Sequence, residues 1–186
     1  VQTAAPWSPK TEVTVIRPDW KGQVEPGPTT HDLLGQPSTW SRVLRPMPRA
    51  WLVTSELVSD DPARDIGSID IETTALVPTG NSLTSGPTGA AGVVADKAGR
   101  IRVAVSASSR QLLVVNERWH KGWHVAVDGN AEAVVRTDGD FIGAVADAGQ
   151  HVVEFRFWPA SVRLGAWLSA LGVGLLLAGY ATRKVH

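Results

Sequence analysis

From residue 50 onward the chain alternates short apolar stretches with clusters of turn formers. Residues 51–53, 69–76, 92–95, 101–107 and 111–118 are β-branched or apolar runs of strand length. Ile101, Val103 and Val105 alternate with polar or small residues. That period of two turns one side of a strand to a core and the other to solvent. Between 78 and 92, Gly, Ser, Thr and Pro dominate, which predicts a loop. The next segment is punctuated by Asp128-Gly129-Asn130, Asp138-Gly139 and Asp147-Ala148-Gly149. Asp-Gly suits tight hairpins because Gly accepts the positive φ that primed turns require. Residues 123–127, 131–137, 140–146 and 151–158 are therefore expected as four strands of an antiparallel meander. Trp123, Val125 and Val127 share one face, as do Val153, Phe155 and Phe157.

These runs predict a mainly β protein. Its domain, residues 50–159, is expected to be an antiparallel β-sandwich, immunoglobulin-like or jelly-roll-like. Residues 1–49 carry prolines at 6, 9, 18, 26, 28, 37, 46 and 48, which interrupt long helices and central strands. This part reads as an extended segment wrapping the domain, with runs at 13–16 and 42–44 as candidate edge strands.

After Pro159 the pattern changes again. Residues 164–181 contain no charged side chain. At ~1.5 Å per helical residue the run covers about 27 Å, close to a hydrocarbon core of ~30 Å. Trp167 and Tyr180 lie near its two ends, where amphipathic rings favour headgroups. Residues 160–182 are accordingly expected as a C-terminal transmembrane helix, and 183–186 as a short basic cytoplasmic tail. Ala166, Ala170, Gly174 and Ala178 recur every four residues and form a stripe of small side chains that lets another helix approach closely. The chain starts at Val1 with no basic-then-apolar leader. Export is thus expected to rely on a signal or membrane segment outside these residues.

Composition narrows the function classes. Lys plus Arg and Asp plus Glu are 18 each, so the net charge is zero and no basic excess marks a nucleic-acid partner. The absence of cysteine removes disulfides, thiolate metal sites and cysteine nucleophiles.

Trp119, His120, Trp123 and His124 form the densest group of potentially functional side chains. Flat rings stack on the apolar faces of sugars and histidines hydrogen-bond hydroxyls, so the group is a candidate glycan contact. The alternative is that both tryptophans fill the core with the histidines at its rim. In one extended strand the histidines would stand ~13 Å apart, too far to share a metal, and a bend at Lys121-Gly122 would shorten that distance. Neither a metal site nor a cofactor is expected. Asp128, Asp138, Asp140 and Asp147 are explained by turns and strand ends rather than as a catalytic carboxylate pair. Arg49, beside Ala50-Trp51, reads as a solvated or stacking arginine.

Several stretches together resemble a family. Pro48-Arg49-Ala50-Trp51-Leu52-Val53, residues 113–119 leading into Gly122-Trp123-His124-Val125-Ala126-Val127-Asp128-Gly129, and Ala148-Gly149-Gln150-His151-Val152-Val153-Glu154-Phe155 with Pro159 resemble the C-terminal part of bacterial YfhO-type membrane proteins. The resemblance is specific over about 90–181 and patchy over 46–76. Such proteins are large, many-helix membrane proteins resembling glycosyltransferases that use lipid-linked sugar donors. Their catalytic helices lie upstream of the region matched. The resemblance implies a non-catalytic extracytoplasmic accessory domain of a YfhO-like glycosyltransferase, anchored by its last helix in a bacterial cytoplasmic membrane. A separate single-span subunit docking on a larger complex is the alternative, and an independent anchored enzyme, for which no motif is visible, is a third. The implied partners are the lipid bilayer, other transmembrane helices, and a glycan or lipid-linked sugar.

Overall fold

The computed structural model describes residues 24–31, 35, 37–43 and 46–183. In chain order come β1 (Val24–His31), β2 (Pro37–Val43), β3 (Ala50–Val53), β4 (Ser55–Val58), a short helix α1 (Pro62–Asp65) running into a 3-10 turn (Ile66–Ser68), and β5 (Thr74–Val77). Then follow β6 (Ala90–Lys97), β7 (Arg100–Ala107), β8 (Gln111–Arg118), β9 (Trp123–Val127), β10 (Asn130–Glu132), β11 (Val135–Thr137), β12 (Phe141–Ala146), β13 (Gly149–Phe157) and α2 (Ala160–Arg183).

Two antiparallel sheets face each other, one ordered β10-β9-β13-β7-β6 and the other β11-β12-β8-β3. Their shared core contains Leu52, Ile101, Val103, Val105, Leu113, Val115, Ile142, Val153 and Phe155. This is the expected sandwich. Strand β7 shows why: its residues are alternately exposed and buried from Arg100 to Ala107, as its sequence pattern requires.

Strand β8 behaves differently, with every residue from Gln111 to Asn116 buried. Leu113 and Val115 face the inter-sheet core. Leu112 and Val114 face a second core with Trp51, Val53, Ile71, Ala75 and Val77. A continuous apolar run is what a strand covered on both faces needs. The second cover comes from the segment carrying β4, α1 and β5. Strands β4 and β5 pair in parallel, a departure from the all-antiparallel expectation. The connection through α1 and the 3-10 turn is long enough for the crossover that parallel pairing demands.

The meander expected for the last third is corrected. Strand β9 turns through Asp128-Gly129 into β10, and both turn residues have positive φ, 51° and 86°. The chain then crosses to the other sheet, so residues 131–137 are not one strand but the end of β10 and all of β11. Asp138-Gly139, also at positive φ, turns β11 into β12. Asp147-Ala148 carries the chain back to the first sheet, where β13 inserts between β9 and β7. The run at 69–76 is also shortened, because Asp70 takes up local backbone. Its carbonyl accepts from the Thr73 and Thr74 N–H groups, and its side chain accepts from Glu72 N–H.

Within the segment read as extended, 1–49, β1 and β2 form an antiparallel pair that includes Arg42 and Val43. The run at 13–16 lies outside the described residues. Helix α2 coincides with the expected 160–182 segment, and Leu164, Trp167, Leu168, Leu171 and Val173 are all exposed on it. Among the described residues no helix is long and apolar enough to cross a membrane. The uncharged run continues to 181, past the last described side chain at 174. Ala166, Ala170 and Gly174 are exposed, and open space surrounds the position a Cβ would take on Gly174. The side chain of Ala178 lies outside the described residues.

Candidate functional site

At the end of the sandwich from which α2 departs, β8 carries a bulge. Ile142 lies opposite Val115 but Phe141 lies opposite Arg118, so Asn116 and Glu117 are extra residues on β8. Bulges re-aim strand ends, and this one turns residues 117–119 out of the core register. Trp119 N–H then donates to the Asp140 carbonyl at 2.7 Å. A turn follows, in which Trp123 N–H donates to the His120 carbonyl at 3.0 Å and Gly122 N–H to His120 Nδ1 at 2.9 Å. The two histidines are thus separated by a bend rather than by one extended strand.

Gly122 is held against the chain leaving β13. A Cβ on it would stand 2.8 Å from Pro159 Cβ and 2.9 Å from Pro159 Cα. The Gly122 carbonyl accepts from Trp158 N–H at 2.8 Å. The start of α2 is therefore fastened to the 119–123 loop.

An open groove of about 740 Å³ lies here, walled by Trp119, His120, Trp123 and Phe157 and rimmed by Lys97, Arg118, Arg136 and Asp140. Phe157 meets Trp123 at 5.2 Å and His120 at 5.3 Å between ring centroids. Trp123 Nε1 donates to the Arg118 carbonyl at 3.1 Å, and the Arg136 guanidinium lies over Trp119 at 5.0 Å. Asp140 pairs with Arg118 at 3.2 Å and lies 3.9 Å from Arg136. Because His120 Nδ1 accepts a hydrogen bond, the neutral ring carries its proton on Nε2. Both tryptophans are half-buried and pack against the inter-sheet core while lining the groove.

The structure brings together Trp119, His120 and Trp123 but not His124. Strand alternation puts His124 on the outer face of the five-stranded sheet, beside Arg102 and Arg156. Phe157 and Arg136 belong to the groove and were not singled out from sequence. The period-two pattern of β13 could have given Phe157, whereas Arg136 was hidden in a run read as one strand.

The four aspartates have separate partners. Asp128 accepts from Val152 N–H and pairs with His151 at 2.7 Å, and the Val152 bond followed by the His151 contact holds its carboxyl below the usual range. Asp147 pairs with Arg110 at 2.6 Å. Asp138 accepts from Leu76 N–H at 2.8 Å, and burial pushes its pKa up to about 6. Arg49, expected as a solvated or stacking arginine, is half-buried and bridges Glu117 at 2.5 Å and Asp96 at 3.1 Å. Burial works against its charge, and those two carboxylates more than offset it. Among the described residues no group of three or more His, Asp or Glu could hold a metal ion. The groove offers ring faces for stacking and Arg, Asp and His groups for hydrogen bonds to hydroxyls.

Comparison with known proteins falls on the same part of the chain. Residues 88–169 match the family described as "Bacterial membrane protein YfhO". A Bacillus subtilis (strain 168) protein described as "Uncharacterized protein YfhO" is 27% identical over 85 residues. That stretch is 46% of this chain and 10% of the relative, so the chain matches about a tenth of that protein's length. No solved structure matches. From β6 through the first turns of α2, groove included, the chain resembles the YfhO-type bacterial membrane proteins.

Proposed function

We propose that this chain is the non-catalytic outer domain of a YfhO-like membrane glycosyltransferase. In this reading α2 holds it on the extracytoplasmic side of a bacterial cytoplasmic membrane, and the groove receives the sugar part of an acceptor or a lipid-linked donor. The observation that carries the reading is the groove's place. Its wall is fastened through Gly122 to Pro159, and α2 begins at the next residue. A ligand stacked on Trp119 or Trp123 would sit at the base of that helix. At ~1.5 Å per residue, a helix of 24 residues is about 36 Å long, more than a hydrocarbon core of ~30 Å. Its exposed Leu164, Trp167, Leu168, Leu171 and Val173 form an apolar surface of the kind that lipid or neighbouring helices cover.

The test uses the full chain in liposomes. It is expected to stay with the vesicles after an alkaline carbonate wash and to bind cell-wall glycans, with binding reduced in Trp119→Phe and His120→Ala. Absence of glycan binding by the folded wild-type chain would remove the ligand role from the groove.

A second reading, a separate single-span subunit docking on a larger complex, is favoured by the exposed small-residue face of Ala166, Ala170 and Gly174. Copurification of other membrane proteins, lost when Gly174 is replaced by Leu, would select it.

A further inference from the structure

Four basic side chains stand in one register row across the outer face of the five-stranded sheet. Lys97 of β6 lies opposite Arg100 of β7, Arg100 opposite Arg156 of β13, and Arg156 opposite His124 of β9. Arg102 follows two residues along β7, opposite Glu154. All five basic residues are exposed. Like charges directly opposite one another in a sheet repel. Here the repulsion is moderated by Glu154, which pairs with Arg100 at 2.7 Å, with Arg102 at 3.4 Å and with Arg156. Four permanent cations less that one carboxylate leave an excess of three positive charges, before His124 is counted, on a chain whose net charge is zero.

The row lies at the α2 end of the sheet. Arg156 precedes Ala160 by four residues, a reach of at most about 14 Å. Phe157 and Trp158, both exposed, lie between them. We infer that this row is a docking surface for the anionic headgroups of the bilayer, which it meets as α2 enters the lipid. The inference rests on the membrane reading of α2. Charge complementarity selects the occupant. An anionic leaflet presents phosphates in a plane, and a flat row of guanidinium and ammonium groups across adjacent strands matches a plane better than a single pocketed ion.

The chain has no cysteine, so Ala104→Cys, exposed on the same face of β7, gives a single labelling position. The labelled full chain is placed in phosphatidylcholine vesicles with or without phosphatidylglycerol, both carrying a headgroup quencher. Quenching is expected to be about twofold stronger with phosphatidylglycerol, and that excess to vanish near 1 M salt, where the screening length is ~3 Å. The excess should also vanish in Arg100→Gln/Arg156→Gln. Glu154→Gln removes the counter-charge and keeps the cations, so it should strengthen quenching. Equal quenching in both lipids by a chain that resists the carbonate wash would overturn the headgroup role alone. Release by the wash would overturn the membrane reading of α2 and this inference with it.

Discussion

Asp138 couples the stability of the sandwich to pH in an unusual direction. It opens the β11–β12 turn at φ 50°, and its carboxylate and its own N–H both engage the backbone of Leu76 on β5. Burial raises its pKa from 3.8 to about 6, with the Leu76 N–H pulling the other way. The folded carboxyl therefore holds its proton more tightly than the unfolded one. Between about pH 4 and pH 6 the native state binds more protons, and stability falls as pH rises through that interval. Two pKa units at ~1.36 kcal/mol each make the loss about 3 kcal/mol near neutrality. Asn at this position keeps an oxygen acceptor for Leu76, tolerates the left-handed backbone and cannot ionise. Asp138→Asn and wild type should be compared by urea unfolding of the full chain in detergent, followed by tryptophan fluorescence over about pH 4 to pH 8. The variant's advantage is expected to be near zero at the acid end and to grow to about 3 kcal/mol at neutral pH. A difference that does not change with pH, or a variant weaker than wild type at neutral pH, would refute the assignment of the ionisation cost to Asp138.

Two further outcomes follow from the geometry. Gly122→Ala places a Cβ within 3.0 Å of Pro159 and should cost about 1–3 kcal/mol through overpacking, read as a lowered unfolding midpoint together with a shift in Trp123 fluorescence. His151, hydrogen-bonded to Asp128, should titrate above the ordinary histidine value of 6.5 in an NMR pH series, and Asp128→Asn should bring it back down.

The sequence made some of this architecture legible because the signals were local. The alternation of Ile101, Val103 and Val105, the Asp128-Gly129 and Asp138-Gly139 turns and the limits of β9 follow from residues within a few positions of each other. Sheet membership does not. Nothing within residues 131–137 records that β10 pairs with β9 while β11 pairs with β12, since each is three residues long and the switch depends on partners elsewhere. The continuous apolar run Leu112–Val115 does not say by itself whether it is a strand covered on both faces or a buried helix segment; the second cover comes from Ile71 and from Ala75 and Val77 of β5, far away in sequence. In the groove, Trp119, His120 and Trp123 are near one another in space as they are in sequence. His124 lies apart from them on the outer face, because a one-residue step along β9 crosses the sheet.

Strand β3 sets a practical limit on dissecting the protein. It pairs with β8 across some sixty positions of chain, and Trp51 and Val53 close the far side of the sheet that β8 helps build. The stretch that matches the family starts at residue 88 and leaves β3, β4 and β5 behind. A truncation cut to those limits would present β8 with an unpaired edge and with Leu112 and Val114 bared to water, an invitation to intermolecular strand addition. The smallest piece that folds alone is thus wider than the piece that matches, and expression of this domain should begin ahead of Met47.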